Sequence, residues 1–514
     1  GSISIHTENI FPIIKKWLYS EKDIFVRELV SNASDAISKL KKLSAIGEAD
    51  VGSDTRYQIK VAINKDNKTI EIIDNGIGMT EEEVRKYINQ IAFSGAQDFL
   101  EKYKDKTDEG QIIGHFGLGF YSAFMVAEKV QIDTLSHQNE AKAVRWVSSG
   151  GTEYEMDESD RSERGTTITL FMAEDSLEFL DEFKMREILV KYFSFLPYEL
   201  YLENKAKKEE KEEDKDKEKS EPKPLNDTQP LWLKNPKDCK EEEYKDFYRK
   251  VFHDFNEPLF WIHLNMDYPF NLKGILYFPK LKHEFETMEG QIKLFYNQVF
   301  VADNIKEVIP EFLMLLKGTI DCPDLPLNVS RSFLQNDGYV SKISTHITKK
   351  VADKLTSIFE NERENYNKYW DDINPFVKYG CLKEEKFFDR VKDIMIYKTT
   401  KGDYITLKDY LERNKEKHEN KVFYVTDEKQ QAQYIKLFKD HDMEAIILSS
   451  MIDNHFISFL EMKETGVKFN RIDADLSDSM KETADVQDVG EKESLEKLFK
   501  DALGNESLKV QVEG

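Results

Sequence analysis

Cysteine is scarce: the 514 residues hold three, Cys239, Cys322 and Cys381, with no CxxC spacing. Neither a disulfide framework nor a zinc site can be read from them, which fits a reducing cytoplasm. Long apolar runs are missing too. No stretch approaches the roughly 20 residues that span a bilayer. The first residues lack the basic-then-apolar pattern of a secretory signal, and Gly1-Ser2 reads as an expression remnant. Positive charge is in deficit, with 74 Lys and Arg against 97 Asp and Glu, giving a net charge of −23. So acidic a chain is repelled by phosphate backbones. These deficits predict a cytoplasmic protein with no nucleic-acid and no membrane partner, acting on proteins or small molecules.

What is present suffices for several cores. A length of 514 residues with 40% hydrophobic side chains predicts about three domains. The clearest boundary is Lys205–Lys219, KAKKEEKEEDKDKEK, where seven lysines face seven acids and only Ala206 is uncharged. Such a run has nothing to bury and reads as a solvated linker, stiffened at its exit by SEPKP. The predicted organisation is a first domain over 1–203, a linker over 204–224, a second domain over 225–486, and the start of a further element over 487–514. Apolar periodicity predicts helices at Glu8–Ser20 and Lys22–Leu43. It predicts strands at Tyr57–Ile63, Thr69–Asp74, Glu128–Thr134, Ala143–Ser148 and Thr166–Phe171. One mixed sheet with helices on one face follows, an α/β sandwich. Beyond the linker, strands at Leu259–Leu264 and Gly274–Phe278 mix with a helix over Ser341–Tyr366.

Four clusters carry chemistry. On the helix from Lys22, Glu28, Asn32 and Asp35 are spaced i, i+4, i+7 and share a strip at the border of the apolar stripe, positioned for a pocket. Asp74-Asn75-Gly76-Ile77-Gly78-Met79 follows a strand directly; its glycines allow a sharp turn beside a flat ligand, and its aspartate can accept from an exocyclic amine. Gly114-His115-Phe116-Gly117-Leu118-Gly119-Phe120 leads into a helix-like Ala123–Glu128 and offers backbone N–H groups to phosphates. Gly165-Thr166 places a hydroxyl in a strand. Between Met79 and Gly114, a charged stretch flanked by Gly95 and Gly110 reads as a lid. No GxxxxGK[ST] occurs, so a P-loop enzyme is excluded. Each cluster alone is an ordinary turn or helix border; the four in this order point to a nucleotide pocket.

The four pieces resemble the asparagine box and three glycine boxes shared by gyrase, chaperone, histidine-kinase and MutL ATPases. Within that superfamily the chain resembles the heat-shock protein 90 chaperones, in particular their bacterial high-temperature protein G branch. The residues that carry the likeness are FVRELVSNASDAISKL, DNGIGMT, SGAQDFLEKY, GHFGLGFYSAFMVAEKV and RGTTITLF. It continues after the linker with PLWLKNP and VFVADNIKEVIPEFLMLLKGTIDCPDLPLNVSRSFLQ.

The resemblance implies an α+β multidomain chain, with a GHKL/Bergerat-type ATPase domain followed by an αβα middle domain. It implies that Glu28 activates the attacking water and Asn32 holds magnesium. Asp74 would accept from the adenine amine, with Thr166 helping through water, and Gly78 and Met79 would lie against the base. Asp35, Gly114, Gly117, Gly119 and Phe120 would complete the ATP/ADP contacts. Arg331, supported by Gln335 and Asn328, would reach the γ-phosphate from the second domain. Departures from the family pattern are Phe93 where many members carry lysine, Tyr87 where many carry asparagine, and His115 where glutamine is common. They bear on nucleotide contact and on the lid.

The implied activity is ATP hydrolysis to ADP and phosphate, driving a clamp closed on unfolded or partly folded client proteins. The resemblance also implies a C-terminal domain that forms the self-dimer, and therefore a monomer for a chain that stops at Gly514. Two other readings compete: another ATPase of the superfamily, of the MutL or gyrase type, and a holdase that works without nucleotide. The acidic charge and LNVSRSFLQ argue against the first, and the pairing of Glu28 with Arg331 argues against the second. Trp232, Phe260 and Trp261 are candidates for client contact, but buried core is the expectation for all three.

Overall fold

The computed structural model describes residues 21–51, 56–90, 99, 102, 113–114, 117–151, 153–205, 222–280, 291–305, 308–327, 338–474 and 499–500. The helix expected at Glu8–Ser20, most of the charged run, Phe93, His115, Asn328, Arg331, Gln335 and nearly all of 487–514 lie outside the described residues. The chain forms two compact units, Gly1–Pro279 with Glu289–Ser344, and Lys280–Met288 with Thr345–Gly514.

The first unit begins with helix α1, Ile24–Ala45. It contains neither glycine nor proline, and Phe25, Leu29, Ile37 and Leu40, spaced at helical intervals, are all fully buried. Each such side chain contributes about 1.5–3 kcal/mol by leaving water. A short helix α2, Glu81–Tyr87, starts at a capping box in which Thr80 and Glu83 satisfy each other's backbone N–H. Helix α3 is Glu182–Phe193, capped by Asp181.

The strands are β1 Gln58–Asn64, β2 Thr69–Asp74, β3 Ala127–Leu135, β4 Val144–Ser148, β5 Glu155–Glu158, β6 Gly165–Met172 and β7 Glu199–Asn204. They form one sheet in the order β5-β4-β3-β6-β2-β1-β7. Every pairing is antiparallel except β1 with β7, so the sheet is mixed, as expected. The β1–β2 turn closes because Asn64 Oδ1 accepts from the N–H groups of Asp66 and Asn67, each at 3.0 Å. The register then fixes what matters for function. Asp74 on β2 pairs with Thr166 on β6, which pairs with Thr134 on β3, so three polar residues line up across three strands.

The expected helix over Ala123–Glu128 is not formed. A 3-10 turn occupies Gly119–Met125 instead, and β3 has begun by Ala127. The seven-residue segment closes i to i+3 bonds, such as Tyr121 N–H to Leu118 O, and Ser122 Oγ donates to Gly119 O. Packing draws it tight: Phe120 meets Tyr121, Phe124 and Trp146 edge-on at 5.5–6.2 Å.

Past residue 221 the same unit adds helix α4, Glu241–Phe252, and a second sheet. Its strands are β8 Phe260–Met266, β9 Leu272–Phe278, β10 Gln291–Tyr296, β11 Val299–Asp303 and β12 Lys317–Asp321, ordered β11-β10-β12-β9-β8. Trp232 is fully buried, against Phe195 at 4.7 Å, Phe295 at 5.1 Å and Phe247 at 5.8 Å. Phe260 is buried and stacks on Phe278, while Trp261 stacks on Tyr244 at 4.9 Å. Trp232 and Phe260 are buried as expected, whereas Trp261 is half-buried and packs against the core from its edge.

The second unit holds most of α5, Gly338–Asn361, then α6 Arg363–Lys383, α7 Glu385–Val391, α8 Leu407–Arg413, α9 Ala432–Asp440 and α10 Met451–Lys463. A two-stranded ladder, β13 Ile396–Lys398 with β14 Tyr404–Thr406, stands beside a parallel trio. The trio is β15 Lys421–Val425 between β16 Ile446–Ile447 and β17 Lys468–Arg471. The single helix expected over Ser341–Tyr366 is broken at Glu362, whose φ of −136° and ψ of 47° leave the helical region. The break seats Tyr366 in the core, its hydroxyl donating to Ile394 O at 3.0 Å. Pro375 lies inside α6 and has no N–H for Asp371 O; the Asn374 side chain donates to that carbonyl at 3.1 Å instead. Lys378 on α6 and Asp453 on α10 form a buried ion pair.

Candidate nucleotide site

Helix α1 organises the site, because three other segments close on it, at Glu28, at Asp35 and at Ala36. Near its start, Glu28 is 2% exposed, and Oε1 accepts from Arg27 at 3.1 and 3.2 Å. Oε2 lies on the side of Gly119, where a Cβ would sit 2.5 Å from it, so any larger residue there would force the carboxylate to shift. One turn on, Asn32 is half-buried at the edge of the stripe. Asp35 is buried, and its two oxygens accept from the N–H groups of Ile113 and Gly114, each at 2.7 Å. A buried carboxylate taking two backbone N–H groups pins that segment to the helix, each charge-assisted bond contributing about 1.5–3 kcal/mol.

Next along α1, Gly76 packs on the main chain of Ala36 and Ile37, where a Cβ would meet atoms at 2.6–2.8 Å. Ile77 N–H donates to Ala36 O at 3.0 Å. From Glu28 to Ala36 the helix rises about 12 Å. Gly119 therefore lies against the N-terminal part of α1 at Glu28, whereas Gly114 and the Asp74 loop meet its middle at Asp35 and Ala36.

Asp74 ends β2 with its carboxyl buried, and Oδ1 accepts from Gly76 N–H at 2.8 Å. Burial pushes this carboxyl up to about 7 from the usual 3.8, against the pull of the Gly76 and Thr166 N–H groups and of Arg161 and Arg164. Gly78 has a φ of +64° and presses so closely on Leu135 that a Cβ would lie 1.9 Å from its carbonyl oxygen. Met79, half-buried, donates its N–H to Thr134 Oγ1 at 3.0 Å, and Thr134 shares a 3.0 Å hydrogen bond with Thr166. Phe120 is buried, while Gly117 and Gly119 sit half-buried around the turn.

The structure thus brings Glu28, Asn32, Asp35, Asp74, Gly78, Met79, Gly114, Gly117, Gly119, Phe120 and Thr166 around one helix and one sheet end. Sequence reasoning missed four participants. Arg27 was legible only as the neighbour of Glu28, and Thr134 only through sheet register. Arg161 and Arg164 reach the carbonyls of the Asp74 loop; the one available signal was Arg164 standing directly before Gly165-Thr166. Among the described residues no group of three or more His, Cys, Asp or Glu side chains could hold a metal ion. Nor is any helix among them long and apolar enough to cross a membrane.

A mixed sheet backed by α1, with a buried strand-end carboxyl and glycine loops against the helix, defines a class of nucleotide-binding domain. Residues 19–163 match the family described as histidine kinase-, DNA gyrase B- and HSP90-like ATPase. Residues 203–514 match the family described as Hsp90 protein. The chaperone protein HtpG of Bacteroides thetaiotaomicron is 46% identical over 487 residues, covering 93% of this chain and 70% of that protein. Its namesake in Porphyromonas gingivalis is 44% identical over 519 residues, 99% of this chain and 75% of that one. Idiomarina loihiensis has another, 34% identical over 517 residues, 96% and 81% of the two chains. The chain belongs to the Hsp90 family. The match beyond residue 203 separates it from the gyrase, MutL and histidine-kinase branches.

Proposed function

We propose that this chain is an ATP-dependent molecular chaperone, which binds and hydrolyses ATP in the pocket along α1 to drive a clamp closed on unfolded or partly folded proteins. The observation that carries the reading is the buried Asp74 carboxyl, held at a strand end by a glycine loop packed on the helix that bears Glu28 and Asn32. Asp74 accepts from the adenine amine, Thr166 helps through water, and Gly78 and Met79 lie against the base. Asp35 positions Gly114 and with it the turn whose Gly117, Gly119 and Phe120 backbone faces the phosphates. The residue that would hold magnesium is Asn32, half-buried on α1 one turn from Glu28, whose amide oxygen is a hard donor of the kind that ion takes. Bound there, it would neutralise phosphate charge.

Glu28 takes a proton from water as the water oxygen bonds to the γ-phosphorus; the bond to the bridging oxygen breaks and ADP leaves with the electron pair. Arg27 fixes one Glu28 oxygen, and the other lies toward the turn. Arg331, with Gln335 in support, arrives from the second domain as the late positive charge. ATP binding shifts the population between open and closed clamps, and loss of phosphate resets it. The domain reading is 1–203 for ATP binding, 204–224 for the linker, 225–486 for the middle domain and 487–514 for the start of the dimerisation domain. The protein works in the cytoplasm, and its full-length form is a self-dimer.

The test is calorimetric titration with ATP and ADP in magnesium, together with phosphate release. The chain binds both nucleotides and turns over ATP, whereas Glu28→Ala binds with a near-unchanged Kd and releases no phosphate. Absence of binding by the unmodified chain refutes the reading in favour of a nucleotide-independent holdase.

A further inference from the structure

The loop that enters β6 does more than deliver Thr166. Arg161 sends one guanidinium nitrogen to Asp74 O at 3.2 Å and others to Glu163 O at 2.8 Å and to Thr167 Oγ1. Arg164 donates to Asn75 O at 3.3 and 3.2 Å and to Gly76 O at 3.2 Å. Three consecutive carbonyls of the Asp74-Asn75-Gly76 turn are therefore capped by two arginines. Gly165, at a φ of +117°, makes the approach possible, since a Cβ there would lie 2.1 Å from Asp74 O. On the far side, α1 meets the same turn with the main chain of Ala36 and Ile37. The turn is gripped between a helix backbone and two cations.

We propose that Arg161 and Arg164 are positioning residues of the adenine subsite, holding the main chain of the Asp74 turn so that its carboxylate faces the base. This deepens the nucleotide-pocket reading and rests on it. Neither arginine touches the ligand. Both act through the carbonyls they cap and through their charge, which opposes the effect of burial on the Asp74 carboxyl. Besides Asp74 itself, Glu163 and Asp133 face Arg161, and His137 faces Arg164. Asp133 is itself held by Arg145 at 2.8 Å and by Ser159 at 2.6 Å, so its charge is already shared.

The test compares Arg161→Gln, Arg161→Lys, Arg164→Gln and Arg164→Lys with the unmodified chain, titrating ADP with magnesium from pH 6 to 8.5. Loss of charge-assisted hydrogen bonds and of one positive charge weakens ADP binding about tenfold or more at pH 7 in each Gln variant. It also moves the rise of affinity with pH to higher pH, so that part of the loss is recovered at pH 8.5. The Lys variants keep the charge and restore the pH profile, but lose the paired hydrogen bonds and regain only part of the affinity. A merely structural role would leave the profile unmoved, so folded Gln variants with normal affinity and an unshifted profile overturn the proposal. If the unmodified chain binds no ADP, the pocket reading fails, and amide hydrogen exchange without nucleotide decides on the clamp. Faster exchange at Gly76 and Ile77 in the Arg164 variants supports it, and unchanged exchange overturns it.

Discussion

Replacing Asp74 by Asn separates the pocket's requirement for charge from its requirement for shape. Asn keeps an oxygen that accepts from Gly76 N–H and fits the same volume, but it cannot ionise. In the native chain burial pushes this carboxyl to about 7 from the usual 3.8. The sign follows from linkage. A folded carboxyl that binds its proton more tightly than the unfolded chain does loses stability as pH rises from about 4 to about 7, and the loss levels off above. At 1.36 kcal/mol per pH unit the full loss is about 4 kcal/mol. Asp74→Asn removes that slope, so the stability gap between variant and native chain widens from pH 5 to 7 and is flat from 8 to 9. Urea unfolding of the first unit, followed at each pH, reads the gap. Calorimetry on the same samples finds no ADP binding by the variant, because an amide cannot reproduce the carboxylate acceptor. A gap independent of pH, or a variant less stable at pH 8 than at pH 5 relative to the native chain, would refute the reasoning. So would retained ADP affinity.

Other perturbations test other joints. Gly119→Ala places a methyl 2.5 Å from Glu28 Oε2, so the carboxylate must shift; phosphate release falls at least about tenfold while ADP affinity changes little, as steady-state kinetics beside calorimetry will report. Gly78→Ala combines a φ of +64° with a 1.9 Å clash against Leu135 O, and both ADP binding and about 1–3 kcal/mol of stability are lost, read by titration and urea unfolding. Lys378→Met strands Asp453 without its buried partner and destabilises the second unit by about 3–5 kcal/mol, with nucleotide affinity unchanged in calorimetry.

Local chemistry made much of this protein legible before its structure. Helix α1 and strands β1, β2, β3, β4 and β6 follow from apolar spacing, which acts within a few residues. The strip of Glu28, Asn32 and Asp35 follows from helical geometry alone. Gly76 and Gly78 announced a tight turn, and the buried Trp232 and Phe260 followed from ordinary apolar burial.

Long-range packing decided the rest. The 3-10 turn at Gly119–Met125 replaced an expected helix because an aromatic cluster and the close approach of Glu28 act across the fold. Glu362 broke a helix that no glycine or proline announces, to seat a tyrosine hydroxyl in a distant core. Arg161 and Arg164 could be seen to hold the Asp74 turn only once sheet register had set β6 beside β2, some 90 residues apart in the chain. Periodicity specifies which face of an element is buried; it carries no information about which backbone carbonyl a long cationic side chain will reach.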